Sequence, residues 1–181
     1  MAWEFAFLDA LQELHAPVLD FVFKMITHLG DAGLFWIATG ILLLCFRKTR
    51  VCGFCVLAGL AVGALITNVT LKPLVARDRP FWVNDTVQLL VSAPKDFSFP
   101  SGHTQASFVS AAAIWMNHRK WGTAAFILAA LIAFSRLYLY VHFPTDVLAG
   151  AVIGICVGIG VSWLILRRGS VGKRQESNCV K

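Results

Sequence analysis

The stretch VLAGAVIGICVGIGVSWLILRR, residues 147–168, decides the fold. It carries no charge as far as Leu166. That is enough chain for one helix to cross the ~30 Å hydrocarbon core of a bilayer. Gly150, Gly154 and Gly158 recur every fourth residue on one helical face, as small residues do where membrane helices touch closely. The stretch therefore reads as a spanning helix pressed against a neighbour.

Four further apolar runs lie upstream, over residues 32–46, 51–71, 100–116 and 121–141. The first is the shortest and needs flanking residues to span. Composition agrees with a membrane protein. Hydrophobic residues make up 57% and charged residues 14%, against about 25% charged in soluble domains, and mean hydropathy is +0.70. Residues 3–29 are amphipathic, interrupted by Asp9, Glu13, Asp20 and Lys24 and broken at Pro17. Such a segment suits the membrane interface better than the core, and if it spans, the helices number six. Gly30-Asp31-Ala32-Gly33 reads as a turn with Asp31 as a helix cap. No cleavable signal is expected, because the first 30 residues are acidic and lack a clean apolar core.

The net charge of +6 is not a nucleic-acid footprint, because its basic residues gather at the ends of apolar runs. Arg47, Lys48, Arg50, Arg119, Lys120, Arg167, Arg168, Lys173, Arg174 and Lys181 fall on one side if all five runs span. The positive-inside rule makes that side cytoplasmic. Cys52-Gly-Phe-Cys55 has the spacing of a redox or zinc pair, but it opens an apolar run outside any βαβ unit. Helix packing is the better reading.

Three polar clusters do not fit a span, and the topology carries all of them to the outer surface. They are Lys72 to Arg79-Pro80, Pro100-Ser101-Gly102-His103, and Ser135-Arg136 to His142 and Asp146. Lys72, Arg79 and Arg136 are three cations brought towards one place, and phosphate suits their donors. Pro100 and Ser101 read as a helix start whose free N–H groups attract an anion, and Gly102 lets a ligand approach the backbone. Asp146 lies in the first turn of the last helix, from which it can orient His142 and leave one ring nitrogen free to attack. His103 is then placed to protonate the departing oxygen. Ser135 is expected to position Arg136 or the phosphate. The cations neutralise the oxygens, so no metal and no cofactor is required.

The clusters resemble the signature of the type 2 phosphatidic acid phosphatase superfamily, the metal-independent lipid phosphate phosphatases related to vanadium haloperoxidases. That signature is Lys, six residues, Arg-Pro; then Pro-Ser-Gly-His; then Ser-Arg, five residues, His, three residues, Asp. Every spacing agrees over residues 72–146. The resemblance implies that His142 is the nucleophile, Asp146 its partner and His103 the acid, with phosphate held by Lys72, Arg79, Ser101, Gly102 and Arg136. It also implies sensitivity to vanadate.

The sequence thus predicts an all-α polytopic membrane bundle of five to six transmembrane helices. Residues 1–31 form its amphipathic N-terminal segment, 32–168 the phosphatase domain and 169–181 a basic cytoplasmic tail. Its expected partners are the bilayer and a membrane lipid phosphate of polyprenyl diphosphate, phosphatidate or phosphatidylglycerophosphate type, with no nucleic acid and no obligate protein partner. The expected place is a bacterial inner or plasma membrane with the site on the extracytoplasmic face. Two alternatives are a phosphotransferase that passes the group to a second lipid such as lipid A, and a non-enzymatic lipid binder. Residues 81–97, with Phe81, Trp82, Leu89, Leu90 and Val91, read either as a lid that guides a lipid chain or as an ordinary interfacial loop.

Overall fold

The computed structural model describes the backbone of residues 2–179 and the side chains of residues 2–168. The side chains of the expected basic tail, 169–181, lie outside the described residues. All regular elements among the described residues are helical.

The amphipathic segment is two helices, α1 (Ala2–Gln12) and α2 (Pro17–His28). Proline sits at the first helical position of α2, and Ala16 before it is extended (φ −148°, ψ 146°), as steric contact with a proline ring requires. Leu8 and Leu11 of α1 are buried against Ala133, Leu137, Tyr140, Phe143 and Val147. α1 is therefore fixed to protein and does not simply float at the interface. A one-turn 3₁₀ helix (Asp31–Gly33) joins α2 to α3 (Leu34–Cys45). Ala32 (φ 48°) and Gly33 (φ 67°) are both left-handed there, and Asp31 makes no side-chain cap. This corrects the cap expected at Asp31; its carboxylate is engaged elsewhere.

α4 (Arg50–Ala64) continues through a π-helical segment (Leu65–Leu71) into α5 (Lys72–Val75). Wide turns of this kind recur at functional sites, and here one delivers Lys72. Ala76 (φ 46°) ends α5 in the left-handed conformation, so the chain folds back through Arg77 and Arg79 before α6 (Pro80–Val83). α7 (Gly102–Asn117), α8 (Arg119–Tyr138) and α9 (Pro144–Cys179) follow.

α7 is the axis of the bundle, packed against α3, α4, α8 and α9. Most of its buried positions are small or polar (Thr104, Gln105, Ser107, Ser110 and Ala111 to Ala113), with Val109 and Ile114 the larger apolar ones. The glycine face of α9 lies directly on it. A Cβ at Gly150, Gly154 or Gly158 would meet the carbonyl oxygens of Ser101, Gln105 and Val109 at 2.5–2.7 Å, whereas Gly160 faces open space. Cys52 and Cys55 are buried beside Val56 and Trp36, which is the packing role expected of them.

Three described helical stretches are long and apolar enough to cross a membrane: Arg50–Val83, Arg119–Tyr138 and Pro144–Arg168. The pair Pro17–His28 and Asp31–Cys45, bent by 41°, makes a fourth if it is one span. At 16 residues and 1.5 Å per residue, α7 is shorter than a full crossing and lies inside the bundle. Length and composition thus support three or four spans, and the expected five to six are not reached on these grounds.

The 81–97 segment is no free lid. Phe81, Leu89, Leu90 and Val91 pack on the buried cluster of Tyr138, Leu139 and Val141, and only Trp82 among the named aromatics is well exposed.

Candidate active site

The loop between α8 and α9 carries His142. Its path is set by Tyr140, which is left-handed (φ 59°), a strained state for a bulky residue that surrounding contacts must hold. The Tyr140 hydroxyl donates to Asp9 Oδ1 at 2.6 Å and accepts from Asn84 Nδ2 at 3.3 Å. Burial, together with Asp9, pushes this phenol up to about 12, so it stays a donor.

Asp146 stands in the first turn of α9 and is fully buried. Its Oδ2 accepts from the backbone N–H of Phe143 at 2.8 Å, closing the helix start as a capping-box acid does. The same oxygen lies 3.6 Å from His142 Nδ1. The Ser98 hydroxyl donates to it at 2.5 Å and is itself 3.5 Å from Nδ1. The other oxygen, Oδ1, accepts from Arg77 Nη1 at 2.6 Å. Arg77 in turn donates to Thr145 Oγ1 at 2.6 Å and Glu4 Oε2 at 2.7 Å. Asp146 therefore both caps α9 and faces His142, and Arg77, which sequence reasoning left unassigned, holds it in place.

The opposite nitrogen of His142, Nε2, lies 3.4 Å from Arg79 Nη1. Arg79 is almost wholly buried and donates through the same nitrogen to the Val141 carbonyl at 2.8 Å. Burial is the main reason the His142 imidazole falls to about 3; the charges of Arg79 and Arg136 add to it and Asp146 opposes it. The ring is thus neutral at physiological pH, with a lone pair available on one nitrogen.

Lys72 and Arg79 converge on one carboxylate, Asp96, which the sequence reading missed. Asp96 Oδ1 accepts from Arg79 Nη2 at 2.6 Å, its carbonyl accepts from Arg79 Nε at 2.6 Å, and Oδ2 pairs with Lys72 Nζ. Burial acts to raise the Asp96 carboxyl, but the two cations outweigh it and hold it down at about 2. The chain itself thus supplies an anion among the cations, the Asp96 carboxylate.

Arg136 reaches the site from α8. It donates through Nη1 to Thr27 Oγ1 at 2.6 Å, and its buried Nε has no hydrogen-bond partner. It lies within electrostatic reach of both His103 and His142. A buried donor without an acceptor is costly, and an incoming anion would satisfy it. Ser135 is directed away: its hydroxyl donates to the Ile132 carbonyl at 2.6 Å. It serves its own helix, because a serine hydroxyl reaches the preceding turn more readily than a neighbour's guanidinium. This corrects the positioning role expected of it.

Ser101 is the N-cap of α7, its Oγ accepting from Thr104 N–H at 3.5 Å. Its N–H donates to the Asp146 carbonyl at 3.0 Å, which ties the second motif to the third. A Cβ on Gly102 would lie 3.9 Å from Lys72 Nζ, so this glycine faces the first motif. His103 contacts Asp31 through Nε2 at 3.0 Å. Among the described residues, no three His, Cys, Asp or Glu side chains cluster as metal ligands.

A cavity of about 650 Å³ lies against the Lys72 and His103 side of this centre. Lys72, Asp96 and His103 line its polar end, and Ile37, Leu57 and Ala61 its apolar wall.

The chain is similar to known proteins. A family model described as the PAP2 superfamily matches residues 52–170. An undecaprenyl-diphosphatase of Sulfolobus acidocaldarius is 34% identical over 120 residues, 66% of this chain and 58% of that protein. The chain thus spans little more than half the length of that relative. An undecaprenyl-diphosphatase of Bacillus subtilis is 34% identical over 148 residues, 80% of this chain and 74% of its own length. The crystal structure of a transmembrane PAP2-type phosphatidylglycerolphosphate phosphatase from Bacillus subtilis superposes with a TM-score of 0.75 at 30% identity, over 92% of this chain and 86% of that one.

Proposed function

The chain belongs to the PAP2 superfamily, and from that premise we propose that it is a lipid phosphatase that works through a phosphohistidine on His142. The observation that carries this reading is the placement of His142: Nδ1 faces Asp146, and Nε2 faces the guanidinium of Arg79. A neutral imidazole held between a carboxylate and a phosphate-binding cation is suited to attack phosphorus. Nε2 bonds to phosphorus as the lipid oxygen leaves with a proton from His103. Water then attacks the phosphohistidine, returns a proton to His103 and frees phosphate and His142. Lys72, Arg79 and Arg136 hold the charge that builds on the phosphoryl oxygens, and Gly102 admits them to the first turn of α7. Asp96 leaves the cations when phosphate arrives.

The substrate is a lipid whose phosphate enters at the headgroup level and whose chain lies along the apolar wall of the cavity. Among candidates, the names of the curated relatives favour a polyprenyl diphosphate. If all five apolar runs cross, charge asymmetry favours the extracytoplasmic face for the site.

The test is phosphate release by the purified protein from polyprenyl diphosphate, phosphatidate and phosphatidylglycerophosphate, with and without EDTA and vanadate. Release that survives EDTA, stops with vanadate and is lost in His142→Ala supports the reading. No release from any of the three sinks it. A phosphoryl group that passes to a second lipid instead of to water would make the protein a transferase.

A further inference from the structure

We propose that Asp31 is the positioning residue for His103, the proton donor, and that the turn holding it is part of the catalytic design. The inference rests on the assignment of His103 as the acid for the leaving group. It comes from a segment outside the matched family region, residues 52–170, and outside the three motifs.

Two independent contacts bring the turn onto the histidine. The Asp31 carboxylate meets His103 Nε2 through Oδ1 at 3.0 Å, while its Oδ2 is held by His28 Nδ1 at 2.7 Å. The second contact is steric. A Cβ on Gly30 would lie 2.5 Å from His103 Cδ2, so only glycine lets the ring lie flat against the turn. Three residues on, a Cβ at Gly33 would lie 3.8 Å from Ala106 Cβ, on the same helix as His103. The turn is thus seated along the first turn of α7. Its left-handed Ala32, φ 48°, is a conformation an alanine adopts only when its surroundings impose it.

The chemistry follows from which nitrogen is taken. Nε2–H donates to Asp31, and Nδ1 makes no hydrogen bond among the described residues. With Nε2 fixed, the ring presents Nδ1 to the leaving oxygen. The substrate's phosphate monoanion first hands its own proton to Nδ1, and that proton moves on to the leaving oxygen as the oxygen's bond to phosphorus breaks and the bond from His142 forms. In the second half-reaction Nδ1 takes a proton from the attacking water. The charged groups facing the imidazole are Asp31 from the turn, Arg136 from α8 and Lys72 from α5. Burial, then Arg136 and Lys72, push the imidazole down to about 4, and Asp31 is the carboxylate that works against them and supports the protonated form. His103 and His142 are therefore each paired with an aspartate, on opposite ring nitrogens.

The experiment compares two substrates on the full chain in bilayer nanodiscs. Phosphatidate has an alkoxide leaving group that needs a proton; an aryl phosphate has a phenoxide that leaves without one. Positioned acid catalysis contributes about 10²–10⁴-fold in general. Asp31→Asn is expected to lower kcat on phosphatidate about tenfold or more while KM changes less than about twofold, a share of that contribution. The aryl phosphate should be spared, the alkaline limb of kcat should move to lower pH, and Asp31→Glu should recover part of the loss. Gly30→Ala, which displaces the ring and keeps the carboxylate, should give the same leaving-group dependence, so the inference remains testable if Asp31→Asn unfolds. Equal loss on both substrates, or an unmoved kcat and alkaline limb on phosphatidate, overturns the role of Asp31. Equal loss on both in His103→Ala overturns the acid assignment and the inference with it. Turnover that persists in His142→Ala overturns the phosphohistidine reading alone, whatever Asp31→Asn does.

Discussion

Asp96 grips Arg79 at two points, through its carboxylate at Nη2 and its own carbonyl at Nε, each at 2.6 Å. With its second oxygen it also engages Lys72. The side chain is 54% exposed, so it can swing out when a phosphate displaces it. Because solvent reaches the Asp96 side of these contacts, the exposed-pair scale of up to about 1 kcal/mol sets a lower reference, which is about fivefold in affinity. Asp96→Asn is therefore expected to tighten vanadate inhibition by about that factor. Weaker inhibition would mean that Asp96 chiefly holds Arg79 in place.

The depressed groups set a pH dependence of stability. His142 sits at about 3 in the folded protein against an ordinary 6.5. Between those values the unfolded chain binds a proton that the native site refuses, so its contribution is present above pH 6.5 and is lost as pH falls towards 3. Asp96, at about 2 against 3.8, acts in the same direction over that lower window. Thermal unfolding in detergent should show Tm falling from pH 7 to pH 4, with His142 accounting for at most about 1.4 kcal/mol per pH unit. His142→Asn should flatten the upper part of that fall. A wild-type and variant pair with parallel profiles would contradict it.

Arg77 joins two buried carboxylates, Glu4 and Asp146. Its removal leaves both without their cation, a change that costs about 3–5 kcal/mol when one member of a buried pair is deleted. Arg77→Gln should lower Tm and reduce kcat more than KM, because His142 loses a fixed Asp146 while the phosphate cations stay. A variant with normal kcat would deny Arg77 this role.

The α7–α9 seam offers a comparison with an internal control. Gly158→Ala puts a methyl 2.5 Å from the Val109 carbonyl, whereas Gly160→Ala meets nothing within 4 Å. Overpacking of this kind costs about 1–3 kcal/mol. The first variant should lose stability in a detergent melt and the second should match the wild type. Equal melting of the two would refute the seam.

The groups proposed to act on phosphate could be picked out because they stand at fixed spacings in the chain: His142 and Asp146 four apart, Lys72 and Arg79 seven apart. The glycine face of α9 was legible for the same reason, since helical period determines which residues share a side. Asp96 and Ser98 were not, because the loop before α7 has no period to read. Asp31 looked like a helix cap, since local sequence cannot reveal a partner 72 residues away. Glu4 looked like one more acid on an amphipathic helix until Arg77 met it. Ser135 was misjudged because its nearest acceptor is the carbonyl three residues earlier in its own helix.

The bridge from Glu4 through Arg77 to Asp146 joins the first helix to the last. A chain emerging from its ribosome makes α1 early and the start of α9 late, so Asp146 and its clamp meet only after most of the protein has entered the bilayer. Until then His142 has no aspartate behind it. On the proposed mechanism, a truncated or half-inserted chain would lack an oriented nucleophile and would leave the lipids around it untouched during biogenesis.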